Sequence, residues 1–126
     1  MSTANNGPEE IPARKAPAAQ PEKQAVIGEW SEIRVQGKLP ERRSNHAAFI
    51  QNASRNYFYI HGGRDLKEGA LDNLWRIDLD GVQALKDDPN RDVEWEPIKT
   101  TGASPGKISH HQCVCIDDIM ILIGGQ

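Results

Sequence analysis

The chain reads as an all-β fold assembled from repeated four-stranded antiparallel units. Three observations predict it. Trp30, Gly37, Pro40 and His46 recur as Trp95, Gly102, Pro105 and His111, each displaced by 65 residues, so both copies read W-x6-G-x2-P-x5-H. Two short apolar runs, Tyr57–Ile60 and Ile119–Ile123, lie 62 residues apart and both lead into a double glycine, Gly62-Gly63 and Gly124-Gly125. The connecting segments carry turn residues and no sustained helical period, apart from a possible turn in 81–86. A unit recurring at this spacing cannot bury its own faces and must stack on its neighbours.

Taken in order, the chain begins with a Pro/Ala-rich tail over 1–26. Residues 1–25 hold four of the eight prolines and only Ile11 from the Leu/Ile/Val/Phe set, whereas the other 101 residues hold 25 of that set. Such a segment cannot bury enough apolar surface to offset chain entropy, which predicts disorder. Residues 27–126 form the folded part. A strand over 29–35 opens with Trp30, whose ring can bury a large apolar area at a sheet contact. The first full unit then runs over 44–99. Its first strand, Ser44–Gln51, is apolar at odd and even positions (Ala47, Phe49 against Ala48, Ile50), which predicts burial on both faces. Its second, Asn56–His61, ends in Gly62-Gly63, where a missing side chain lets the backbone turn or approach another strand closely. Its third, Leu74–Leu79, alternates Leu74, Arg76 and Asp78 with Trp75, Ile77 and Leu79. Its fourth, 94–99, is introduced by Trp95. The next unit starts over 109–126, with strands Ser109–Ile116 and Ile119–Ile123.

Composition narrows the function. Fifteen Lys+Arg against eighteen Asp+Glu give a formal net charge of −3, and an acidic balance lacks the basic surface that nucleic-acid backbones demand, so no nucleic-acid partner is expected. No apolar run reaches the roughly 18 residues of a membrane span, so no membrane partner is expected either. The N-terminus lacks the charged-then-apolar pattern of a secretion signal, and Cys113 and Cys115, two residues apart on one strand, sit near the upper limit for a disulfide. A reduced pair in a cytoplasmic protein is the expectation.

The order Pro40-x-x-Arg43-x-x-His46, an apolar strand, Gly62-Gly63, Asp72-Asn73-Leu74-Trp75 and finally Trp95 resembles the kelch repeat, a four-stranded blade of a β-propeller. The resemblance covers residues 30–126. It departs from the family pattern at Ile77, where Tyr is usual, at Ile108, which stands where Arg43 stands in the first copy, and in the polar insertion 80–93, which stretches the repeat past about 50 residues. Propellers close with about four to eight blades, whereas this sequence holds one closing strand, one blade and the start of another. The resemblance therefore implies an incomplete kelch-type ring, a fragment of a longer chain or one component of a larger complex. It assigns the structural motif to Trp30, Pro40, Arg43, His46, Gly62, Gly63, Trp75, Trp95, Pro105, His111, Gly124 and Gly125.

His111, Cys113 and Cys115 alternate onto one strand face and Cys/His sets suit zinc, but Cys113 and Cys115 correspond to Ala48 and Ile50 of the first copy, so small buried hydrophobes suffice. His61 corresponds to Ile123 and reads as a hydrogen-bonded sheet histidine. Gly62-Gly63-Arg64-Asp65 lacks the Lys and Ser/Thr of a phosphate loop. No catalytic constellation emerges, and neither a cofactor nor a metal is expected. The loops are more informative. In an antiparallel meander the loop before the first strand and the loop between the second and third share one end, which carries Arg42, Arg43, Arg64, Asp65, Lys67 and Glu68 and a balance of +2 in charge. The opposite end has a balance of −4. This asymmetry predicts a non-catalytic interaction scaffold that docks an acidic segment of a protein partner on Arg42, Arg43 and Arg64. The resemblance also admits enzymes, since kelch propellers include copper oxidases, epimerases and iron-dependent specifier proteins, and kelch blades precede phosphatase domains. A ubiquitin-ligase adaptor would need a further domain.

Overall fold

A computed structural model describes residues 27–126. The expected disordered tail over 1–26 lies outside the described residues. The chain divides into two units, Met1–Ser31 and Glu32–Gln126. Of the first, residues 27–31 are described, with a turn at Ile27-Gly28.

The second unit contains β1 (Ala47–Gln51), β2 (Tyr57–His61), β3 (Arg64–Asp65), β4 (Gly69–Ala70), β5 (Leu74–Asp78), α1 (Leu79–Ala84), β6 (Glu96–Ile98), β7 (His111–Ile116) and β8 (Ile119–Gly124). β1, β2, β5 and β6 form one antiparallel four-stranded sheet in that spatial order, which is the expected blade. β7 and β8 pair as the expected opening hairpin of a second blade, joined through residues 117–118. The segment between β2 and β5, expected as a loop, contains the short β3–β4 ribbon.

The register explains the two faces. Ala47, Phe49 and Gln51 stand opposite His61, Tyr59 and Tyr57, so these side chains share one face. There the rings of Phe49 and Tyr59 stack at 4.9 Å, and Tyr59 donates to Gln51 Oε1 at 3.1 Å. The other face carries Ile60, Trp75 and Ile77, all buried. Trp95 is half-buried against Phe58, with ring centroids 6.4 Å apart. The 80–93 insertion begins as α1, capped by Asp78, whose carboxylate accepts from the backbone N–H of Asp80 and Gly81. Leu79 therefore belongs to the helix and not to the third strand. Val93, buried at the far end of the insertion, lies close to Gly81.

Two expectations are corrected. Residues 29–35 form no ladder, and among the described residues backbone pairing begins at Gln36, whose amide donates to Val93 O at 2.9 Å in a parallel bridge with Glu94. Among the described residues no strand runs beside 29–35, and Trp30 is 96% exposed. β1 is not buried on both faces either: Ala48 and Ile50 are exposed while Ala47 is buried, because β1 is the edge strand of its sheet and the cover on their face lies farther in, over Ile60, Trp75 and Ile77.

The blades meet at the double glycine. Gly63 N–H donates to Ile108 O at 2.8 Å, Leu71 N–H to Gly63 O at 2.8 Å, and Ile108 N–H to Leu71 O at 3.1 Å. A Cβ on Gly62 would stand 2.6 Å from Ile108 O and 2.8 Å from His111 Cε1, and one on Gly63 would stand 2.7 Å from Ser44 O. Both glycines have positive φ. Gly63→Ala is therefore expected to cost roughly 2–5 kcal/mol, a left-handed backbone plus a clash with a carbonyl oxygen. Gly69→Ala, whose φ is equally positive but whose Cβ would meet nothing, should cost only about 1–2 kcal/mol. Chemical denaturation of both variants checks the difference.

Candidate functional site

Ser44 and Arg64 exchange both backbone hydrogen bonds, each at 2.8 Å. The loop before β1 and the β3–β4 ribbon are thereby fixed side by side at one end of the blade, as the alternation of loops requires. The turn of the ribbon is held by Asp65, whose Oδ2 accepts from Lys67 N–H at 3.1 Å and Glu68 N–H at 2.9 Å. That leaves Leu66 fully exposed at the tip, with Arg64 and Lys67 exposed on either side.

The charged residues expected here split into two groups. Arg43 and Asp65 are engaged inside the fold. The Arg43 side chain is only 3% exposed: its Nη1 donates to Gly62 O at 2.9 Å, its Nε to Glu41 O at 3.2 Å and its Nη2 to Glu41 Oε1 at 3.1 Å. Asn73 Nδ2 reaches both Glu41 oxygens at 3.2 Å. Arg43 thus ties the first loop to the double glycine and is removed from the docking set, since a guanidinium already satisfied and covered has no donors to offer a partner. Arg42, Arg64, Lys67 and Glu68 are exposed, and among the described residues none of these four forms an ion pair. The end is also not uniformly basic. A cleft of about 360 Å³ is lined by Glu41, Glu68, Asp72, Asn73 and Lys107 with Ala70 and Leu71, so carboxylates gather in a hollow while Arg42, Arg64 and Lys67 stand outside it. Leu66 was missed by the sequence reading, although an apolar residue inside the polar run 64–68 was its visible signal.

At the opposite end Arg55 pairs with Asp78, and Asn56 Nδ2 donates to Asp80 Oδ1 at 3.3 Å.

The histidines and cysteines lie along the seam between the blades. His61 and His111 are buried, and His61 Nδ1 lies 3.0 Å from His111 Nε2. Burial holds both imidazoles below the ordinary histidine value, His61 further through the positive charge of His111 and Arg43. Cys113, half-buried, lies beside them, and burial pushes its thiol up. Cys115 donates its thiol to Asp117 O at 3.3 Å. A cleft of about 480 Å³ between β1 and β7 is lined by 45–48 and 110–113. His46, expected to pack within the blade, is exposed at its rim, with its Cα and Cβ near Gly63. Pro40 is half-buried, and Pro105, Gly124 and Gly125 are exposed.

A family model, the KLHDC2/KLHL20/DRC7 Kelch-repeats domain, matches residues 24–126. No curated protein matches the chain.

Two outcomes test the Arg43 network. Arg43→Lys keeps the charge but not the three-way fork, and should destabilise by about 1.5–3 kcal/mol, the worth of hydrogen bonds to a charged group. Glu41 is held below the ordinary carboxylate value by the hydrogen bond from its own backbone, then by Asn73 and Arg43, against some desolvation. Its contribution is therefore complete above the unfolded-state value and is lost as pH falls through the lower folded value. Glu41→Gln should flatten that acid limb in a pH series of unfolding midpoints.

Proposed function

The chain belongs to the kelch-repeat family, and from that premise we propose that it is a non-catalytic protein-interaction scaffold inside the cell, part of a larger propeller, docking an acidic segment of a partner on the rim formed by Arg42, Arg64 and Lys67. Kelch-repeat domains form propellers and commonly mediate protein interactions, which supports the class. The observation that carries the specific reading is the ribbon tip. Leu66 and Lys67 stand exposed on the turn held by Asp65, Arg64 is exposed at the base of the same ribbon, and Arg42 is exposed on the neighbouring loop that the Ser44–Arg64 bridge ties to it. Cations steer an acidic partner into place, while an exposed apolar side chain supplies contact area that charge alone does not.

Participation in a larger ring is supported by one face of the β7–β8 hairpin. Val114, Ile116, Ile119, Ile121 and Ile123 share that face and are 40% to 63% exposed. On the first blade the equivalent face is the one that meets β7. The unlinked Cys113 and Cys115 suit a reducing compartment.

Poly-L-glutamate serves as a probe of the rim. Binding should weaken with salt, and combined Arg42→Glu, Arg64→Glu and Lys67→Glu should reduce affinity about tenfold or more, taking roughly 0.5 kcal/mol for each rim charge. Lys86→Glu with Arg91→Glu, at the other end, should leave it unchanged. Equal binding by the triple variant and the unaltered chain contradicts the proposal.

A further inference from the structure

We propose that His61, His111 and Cys113 form a zinc-class metal site that clamps the seam between the two blades. Each residue offers one ligand atom, and these atoms lie within 4.8 Å of one another. Two imidazoles and a thiolate are the donors that borderline-soft d10 ions prefer, and three protein ligands leave a fourth position for water.

The position of the cluster argues for a purpose beyond packing. His61 comes from β2 of the first blade, while His111 and Cys113 come from β7 of the next, so the site is complete within residues already in place. The repeat supplies a comparison. His61 corresponds to Ile123 and Cys113 to Ala48, so blade architecture accepts aliphatic residues at both positions, and among the described residues the donors converge here. Packing would explain each residue singly but not their meeting.

The hydrogen bonding is also unfinished. His61 Nδ1 and His111 Nε2 share one proton at 3.0 Å, and His111 Nδ1 is buried with no partner, a state that native interiors rarely leave unexplained. Binding an ion would break the His61–His111 hydrogen bond and form one nitrogen–metal bond to each imidazole and one sulfur–metal bond. Both imidazoles stay neutral with one N–H each, the Cys113 S–H bond breaks, and its proton passes to solvent through the cleft lined by His46 and Gln112. No oxidant or reductant is needed.

Cobalt(II) titration of the 126-residue chain tests the site. It is expected to saturate at one ion per chain, with tetrahedral visible absorption and a thiolate-to-metal charge-transfer band, and zinc(II) should displace the cobalt. Cys113→Ala, which installs the residue of the first copy, should abolish the charge-transfer band, and so should the gentler Cys113→Ser. His61→Gln should weaken binding by about tenfold or more. Cys115→Ser should change neither. Absence of the band in the unaltered chain, its survival in both Cys113 variants, or its loss in Cys115→Ser overturns the proposal.

Discussion

The contact at Gly62-Gly63 decides how the blades associate. β2 ends against the segment that leads into β7, so close that a methyl group on Gly62 would strike Ile108 O, while one on Gly63 would strike Ser44 O in the loop before β1. Only a residue with no side chain and free access to positive φ permits that approach. Once it is made, the amide of Gly63 reaches Ile108 O, the carbonyl of Gly63 accepts from Leu71, and Leu71 O accepts from Ile108. Backbone groups that would otherwise be buried and unpaired at the end of a strand are thereby satisfied. Arg43 completes the arrangement by donating to Gly62 O, which makes an interior arginine part of the seam.

The same geometry recurs one unit later, in part. Ser109 and Gln126 exchange backbone hydrogen bonds as Ser44 and Arg64 do, and a Cβ on Gly125 would strike Ile108 and His111 much as one on Gly63 strikes Ser44 and His46. Gly124, the counterpart of Gly62, has open space around it. The second double glycine is therefore shaped like the first, and its exposed surroundings coincide with the exposed aliphatic face of β7 and β8. Stacking one blade on the next uses one aliphatic or aromatic face and one glycine pair, and of the second pair Gly125 is already crowded by Ile108 and His111 while Gly124 has open space.

Much of this was legible in the residues. The repeat of Trp, Gly, Pro and His defines the unit, and β1, β2, β5 and β6 fall within the four predicted segments, the first two marked by short apolar runs, the third by alternation and the fourth by the Trp95 that introduces it. Three features escaped. The 29–35 segment has strand composition, but a strand is defined by its neighbour, and composition does not reveal whether one is there. Arg43 looked like a surface charge because burial of a guanidinium depends on Glu41 and the Gly62 carbonyl, which are brought together only by folding. His61 and His111 stand 50 residues apart in sequence, so their meeting at 3.0 Å follows from the stacking of blades and from no local pattern. Leu66 illustrates the converse: its side chain is conspicuous in a polar turn, yet only the Asp65-held ribbon shows that it points away from the fold.

Native-state amide hydrogen exchange tests the central claim, that the double glycine welds the two blades into one cooperative body. Amides of Gly63 and Ile108 cross the seam, whereas those within β2 and β5 belong to the first blade alone. If the seam is integral to the fold, Gly63 and Ile108 exchange with the same opening free energy as the β2 and β5 amides, through a shared unfolding event. Rapid exchange at Gly63 and Ile108 beside protected β2 and β5 amides would contradict the account, because the blades would then be independent units in loose contact.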